Sequence, residues 1–108
     1  MSDNESKTAL EPLTGITVLE MTVALQGPAA GLYLRDMGAN VIKVEPPEGD
    51  AGRYHRGVNN TVPEDALSPG FIAANRGKQS ISIDIHSEEG RAVVERLLEK
   101  ADVFLSNY

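Results

Sequence analysis

The chain has no cysteine, which excludes a disulfide framework, thiolate catalysis and thiolate metal ligation. It has no apolar run near the roughly 20 residues that a bilayer-spanning helix needs, so no membrane association is expected. Its first residues lack the charged-then-apolar pattern of a secretory leader, and a cytoplasmic protein is the expectation. An excess of positive charge is missing as well. Ten Lys and Arg stand against 16 Asp and Glu, a formal net charge of −6, which argues against nucleic acid as a partner. His55 and His86 lie far apart with no cysteine to join them, so no metal site is expected. No Ser-His-Asp arrangement or carboxylate pair stands out by spacing. No nucleophile can be named from these residues.

What is present is a strand–turn–helix–strand pattern. With 108 residues, 41% of them hydrophobic, the chain is long enough for one small domain. Residues 16–21 are β-prone and largely apolar. Pro28 suits a first helical position, where its missing N–H costs nothing. The composition then predicts a helix over 28–37, stopped by Gly38 in a left-handed cap. Gly31 inside that helix costs roughly 1 kcal/mol against alanine, which close packing of helix on strand would offset. A second strand is predicted over 41–44 and is stopped by Pro46-Pro47. A long loop follows, with a helical turn around 71–74. Residues 80–85 alternate polar and apolar as a half-covered strand does. Ser87 is an N-cap, with Glu88 and Glu89 favourably placed for the helix dipole. The last strand, 103–106, reads as buried. The expected architecture is α/β: a Rossmann-like, mostly parallel sheet with flanking helices, incomplete because two good helices do not cover four strands. The polar residues 1–11 read as a flexible tail. The abrupt end after a buried-looking strand suggests the N-terminal piece of a longer polypeptide.

Two segments compete as sites. Glu45 stands 18 residues beyond Gly27, near the spacing of about 20 for a ribose-binding acid in a dinucleotide fold. A dinucleotide-binding oxidoreductase fragment is therefore one alternative. The Gly-x-Gly-x-x-Gly fingerprint is nevertheless absent, and without it the backbone cannot approach a pyrophosphate in the usual way. The second segment, Asn75-Arg76-Gly77-Lys78, offers an amide, a guanidinium and an ammonium before a strand. That set could bind phosphates, or it could be a polar turn with two solvated cations. Arg53, Arg56, Arg76 and Lys78 make the central loop locally cationic, which suits a small polyanion.

Several blocks carry a family resemblance. They are Pro12-Leu-Thr-Gly-Ile-Thr-Val-Leu-Glu20, Gly27-Pro28, Leu34-Arg-Asp-Met-Gly-Ala-Asn-Val-Ile-Lys-Val-Glu45, Gly49-Asp50 with Arg53, Asn75-Arg-Gly-Lys-Gln-Ser-Ile-Ser-Ile-Asp84, Glu89-Gly90, and Ala101-Asp-Val103 through Asn107-Tyr108. Ordered and spaced in this way, they resemble the start of a family III CoA-transferase, also called the CaiB/BaiF family. The resemblance implies that residues 12–108 form the N-terminal part of a Rossmann-like CoA-binding large domain. It also implies a two-domain chain whose copies interlock as a homodimer. The activity it implies is transfer of CoA between an acyl-CoA and a carboxylic acid. A catalytic aspartate downstream of these residues would carry the covalent steps, so no catalytic residue is expected here. CoA is implied as substrate, with no tightly bound cofactor.

By the resemblance, Asn75, Arg76, Gly77, Lys78 and Gln79 contact the adenosine and phosphates, and Asn107 and Tyr108 also touch CoA. Val23, Ala24, Leu25 and Gln26 lie near the thioester, and Arg53 and Arg56 face phosphates. The turn departs from formyl-CoA transferase in the placement of its glutamine, so a formyl or oxalate specificity is not implied. The same scaffold also supports acyl-CoA racemases and isomerases, and this segment taken alone could be a nucleotide-binding module without catalysis.

Overall fold

A computed structural model describes residues 11–108. The expected tail over 1–11 lies, but for Glu11, outside the described residues. The elements in chain order are β1 (Thr17–Met21), α1 (Gln26–Asp36), β2 (Asn40–Glu45), α2 (Pro69–Asn75), β3 (Gln79–Ser82), α3 (Glu88–Lys100) and β4 (Val103–Ser106). Short 3-10 turns at Ala51–Tyr54 and Val58–Asn60 shape the loop after β2. The strands are all parallel and lie in the order β3-β2-β1-β4. The expected α/β class, with a parallel sheet flanked by helices, is the one the chain forms.

Successive strand residues point to opposite faces, and the two faces differ in chemistry. On one face Leu19, Met21, Val44 and Ile83 form a core covered by Val93, Val94 and Leu97 of α3. On the other, Val18, Val41 and Ala39 pack with Leu34 of α1. Further along the same strands this second face turns ionic: Glu20, Thr22, Lys43 and Glu45 are all buried there. The apolar part anchors α1, and the ionic part lies beneath its first turns.

Helix α1 starts at Gln26, two residues before the position expected from Pro28. The first four N–H groups of a helix have no partner within it, so proline is tolerated anywhere in that turn. The helix ends as expected, with Gly38 at φ 104°. The strand expected over 80–85 is shorter. After Ser82 its ladder closes with Ile83 N–H donating to Glu45 O at 2.8 Å. Asp84 then accepts from His86 N–H at 2.9 Å and turns the chain. Ser87 caps α3 by accepting from Gly90 N–H at 2.9 Å.

Two expectations are corrected. The helical turn near 71–74 is a full helix, α2, which adds a third helix. β4 crosses the sheet to pair with β1 rather than β3, so it is an edge strand and not a buried one: Phe104 is 52% exposed.

Gly31 has a specific reason. A Cβ there would overlap the Glu20 carboxylate and come within 3.2 Å of Lys78 Nζ. Gly31→Ala, which raises helix propensity, is expected to lower stability by about 1–3 kcal/mol through overpacking, measured by urea denaturation. A stabilised variant would show that α1 does not depend on this close approach.

Candidate functional site

The chain lays β2 and β3 on one side of β1, then crosses to lay β4 on the other. The strand order therefore reverses between β1 and β4. In open parallel sheets, ligands bind in the crevice outside the carboxyl ends of the strands at such a point. Here that crevice is bordered by the β1–α1 turn, Thr22–Leu25, and by Asn107 and Tyr108 after β4. The turn is held in a defined shape. Asn107 Oδ1 accepts from Val23 N–H at 2.9 Å, and its Nδ2 donates to Val23 O at 2.9 Å. Ala24 stands at φ 63°, a left-handed conformation that non-glycine residues adopt at a cost and that concentrates at functional turns. Gly27 admits no side chain, because Thr22 and Asn107 fill the space a Cβ would take.

Next to this turn lies a cavity of about 380 Å³, within the roughly 300–1,000 Å³ of small-molecule sites. Its floor is Met21, Val44, Ile83 and Ile85; Pro46, Pro47, Asp84, His86 and Tyr108 form its walls. The floor is apolar because these residues come from the α3-facing side of the strands. The rim carries Glu48 and Asp84, which suits a hydrogen-bond donor and disfavours an anion. Arg91 Nη1 reaches His86 O at 3.2 Å, which keeps one cation at the margin.

The sequence-derived site residues separate in space. Of the CoA set, Tyr108 lines the cavity. Lys78 points inward with a 2% exposed side chain, its ammonium 2.8 Å and 3.0 Å from the two Glu20 carboxylate oxygens. It also donates to Pro28 O at 2.8 Å and Asn75 Oδ1 at 2.9 Å. Burial pushes the Lys78 ammonium below the usual lysine range, with Glu20 opposing. Arg76 points outward into a bidentate pair with Asp36 at 2.8 and 3.0 Å. Its guanidinium holds the Asp36 carboxyl below its usual range. Gly77, at φ 77°, leaves room for the Arg35 guanidinium. Asn75 Nδ2 donates to Phe71 O at 3.0 Å. Gln79 starts the edge strand β3 and is exposed. The picture of two solvated cations in a polar turn is thereby corrected for Lys78.

Arg53 and Arg56 are also committed within the chain. Arg53 grips Glu45 through Nε at 2.6 Å and Nη2 at 2.7 Å and lies 4.4 Å from the Phe71 ring centroid. Arg56 donates to the carbonyls of Tyr54 at 2.8 Å and Ala66 at 3.1 Å, and to that of Pro63. It organises the long loop through these carbonyls. Glu45 receives two further donors, Asp50 N–H at 2.7 Å and Ser80 Oγ. Burial alone would raise its carboxyl, but the Arg53 bonds, with Ser80 and Asp50, outweigh that and hold it down to about 2. A carboxylate saturated in this way has no lone pair left for a ribose hydroxyl. Among the described residues no three His, Asp or Glu gather as a metal would need.

Reading the sequence missed Pro46, Pro47, Asp84, Ile85 and His86. Their signal was positional. Each lies within about four residues of the end of β2 or β3, and the strands' carboxyl ends are where such a sheet binds ligands.

A family model described as CoA-transferase family III matches residues 13–108. The succinate–glutarate CoA-transferase of Agrobacterium fabrum is 45% identical over 100 residues, covering 90% of this chain and 25% of that protein. The succinyl-CoA:glutarate CoA-transferase of Mus musculus is 37% identical over 100 residues, covering 93% and 22%. Among solved structures, a CAIB/BAIF family protein from Brucella suis superposes with TM-score 0.78 at 44% identity, covering 90% of this chain and 26% of that one. The chain thus spans about a quarter of the length of the curated relatives it matches.

Two predictions separate the charged residues. Lys78→Met leaves Glu20 buried without its nearer ammonium and is expected to cost about 3 kcal/mol or more in urea denaturation. Arg76→Ala, at an exposed pair, is expected to change stability little. Equal losses would contradict the burial described here. The Glu45 carboxyl is depressed on folding, so its contribution is complete above the ordinary carboxylate value near 4.5 and fades as pH falls toward about 2. Glu45→Gln should accordingly destabilise the protein at pH 7, and the difference from wild type should shrink between pH 4.5 and 2. A difference independent of pH would refute the assignment.

Proposed function

The chain belongs to CoA-transferase family III, and we propose that it binds coenzyme A for transfer between an acyl-CoA and a carboxylic acid. The observation that carries this reading is the cavity at the carboxyl ends of β1–β3, adjoining the β1–α1 turn. In this reading the adenine enters the apolar cavity, its amino group facing the acidic rim at Asp84. The pantetheine arm then runs toward the turn, so that Val23, Ala24, Leu25 and Gln26 flank the thioester and Tyr108 borders the passage. Phosphates are not placed on the acidic rim; cations at its margin, such as Arg91, suit them better.

Residues 12–108 then act as the nucleotide-binding part of a larger CoA-binding domain. The attacking group, an aspartate by family resemblance, is proposed to lie outside these residues. Its carboxylate oxygen bonds to the acyl carbon as the carbon–sulfur bond breaks and CoA thiolate leaves. The thiolate then attacks the aspartyl carbonyl of the mixed anhydride and releases the free acid, leaving an aspartyl-CoA thioester. The acceptor acid reverses these steps. The interlocked homodimer and cytoplasmic setting belong to the same proposal. Relatives named as CoA-transferases favour transfer over racemisation, and the saturated Glu45 disfavours a dinucleotide.

Of the residues singled out by resemblance, Asn75, Lys78 and Asn107 are proposed to serve CoA by shaping the turn and its support rather than by contact. Filling the cavity tests the reading. Ile85→Trp is expected to weaken CoA binding about tenfold or more in calorimetry. Undiminished affinity in the tryptophan variant would remove the proposal.

A further inference from the structure

Beneath the β1–α1 turn lies a closed set of charges. Glu20 is 0% exposed. Its Oε2 accepts from Thr22 Oγ1 at 2.6 Å and lies 3.3 Å from Lys43 Nζ, while Oε1 lies 2.8 Å from Lys78 Nζ. Lys43 also pairs with Asp50 at 2.9 Å. Two ammoniums and two carboxylates therefore balance within the fold.

Stability alone does not account for this cluster. One step earlier on the same face, β1 and β2 use Val18 and Val41, and apolar residues at such positions commonly equal or exceed buried ion pairs in stability. What the cluster supplies is direction. Lys43 Nζ donates to Thr22 O at 3.1 Å, at the start of the turn. Lys78 Nζ donates to Pro28 O, in the first turn of α1 that follows it. Both ammoniums are oriented by the same carboxylate, and that carboxylate occupies the space left by Gly31. The segment between them holds Ala24 in its left-handed conformation.

We infer that Glu20 is a positioning residue for the reacting end of CoA: through Lys43 on Thr22 O and Lys78 on Pro28 O it fixes the start of the β1–α1 turn and the first helical turn after it, without touching the ligand. This deepens the CoA reading and rests on it. A carboxylate in this role governs the thioester end of the ligand and leaves the nucleotide end alone, because the cavity floor of Met21, Val44, Ile83 and Ile85 belongs to the opposite face of the sheet and only Glu45 of the ionic face borders it.

The test compares two probes in the protein expressed from its complete gene: CoA and 3′-phosphoadenosine 5′-diphosphate, which lacks the pantetheine arm. Glu20→Gln removes the charge at constant shape. Thr22→Val keeps every ion pair and removes one hydroxyl donor, so it serves if the first variant fails to fold. Either variant is expected to weaken CoA about tenfold while the nucleotide probe binds as to wild type. If both probes weaken alike, or neither does, Glu20 is only a structural residue and the inference fails. Wild-type protein that binds neither probe removes the CoA reading itself, and this inference with it.

Discussion

The β1–α1 turn and the loop after β2 rest on one buried carboxylate held between two lysines. Glu20 sits on the central strand, level in register with Lys43 on β2, and Lys78 approaches from the segment before β3. Removing a charge from water is costly unless partners surround it. Once Glu20 is buried, the lysines have little freedom, and with them the loop after β2, which Asp50 ties to Lys43. The long connection between β2 and β3 is thereby anchored at three points: Asp50 on Lys43, Arg53 on Glu45, and Lys78 on Glu20. A loop of that length without regular strands normally needs a function or external support to stay ordered. Here part of the support is internal.

The sheet divides its labour by face. The α3 side is apolar throughout and opens, at the carboxyl ends of the strands, into the cavity. The α1 side is apolar only beneath the end of α1 and ionic beneath its start. A ligand can therefore meet an apolar floor and a rigidly held turn at one edge of the sheet. Gly27 and Gly31 are both required by this arrangement, because the helix approaches the strand too closely for any side chain.

Apolar surface also remains open among the described residues. Phe104 and Val103 on β4, Tyr33 on α1 and Ile72 on α2 are all exposed. Edge strands with unpaired backbone groups invite a further strand, and parallel strands are ordinarily covered on both faces. The solved and curated relatives are about four times as long as the stretch they share with this chain.

Local patterning alone was enough for the α/β class, the βαβ opening, the Gly38 stop and the Ser87 cap, because turn chemistry and apolar periodicity are properties of neighbouring residues. The family was legible too, in ordered blocks such as Leu34–Glu45 and Asn75–Asp84. Tertiary structure decided where the charges go. In sequence Lys78 and Arg76 look equivalent, two cations around a glycine; in space one is buried on Glu20 and the other exposed on Asp36. The cavity, too, combines residues that follow three different strands, and nothing local predicts that β4 crosses to the far side of β1. Sequence spacing encodes which face or turn a residue occupies; which distant charge it meets depends on strand order, and strand order is set only when the whole sheet packs.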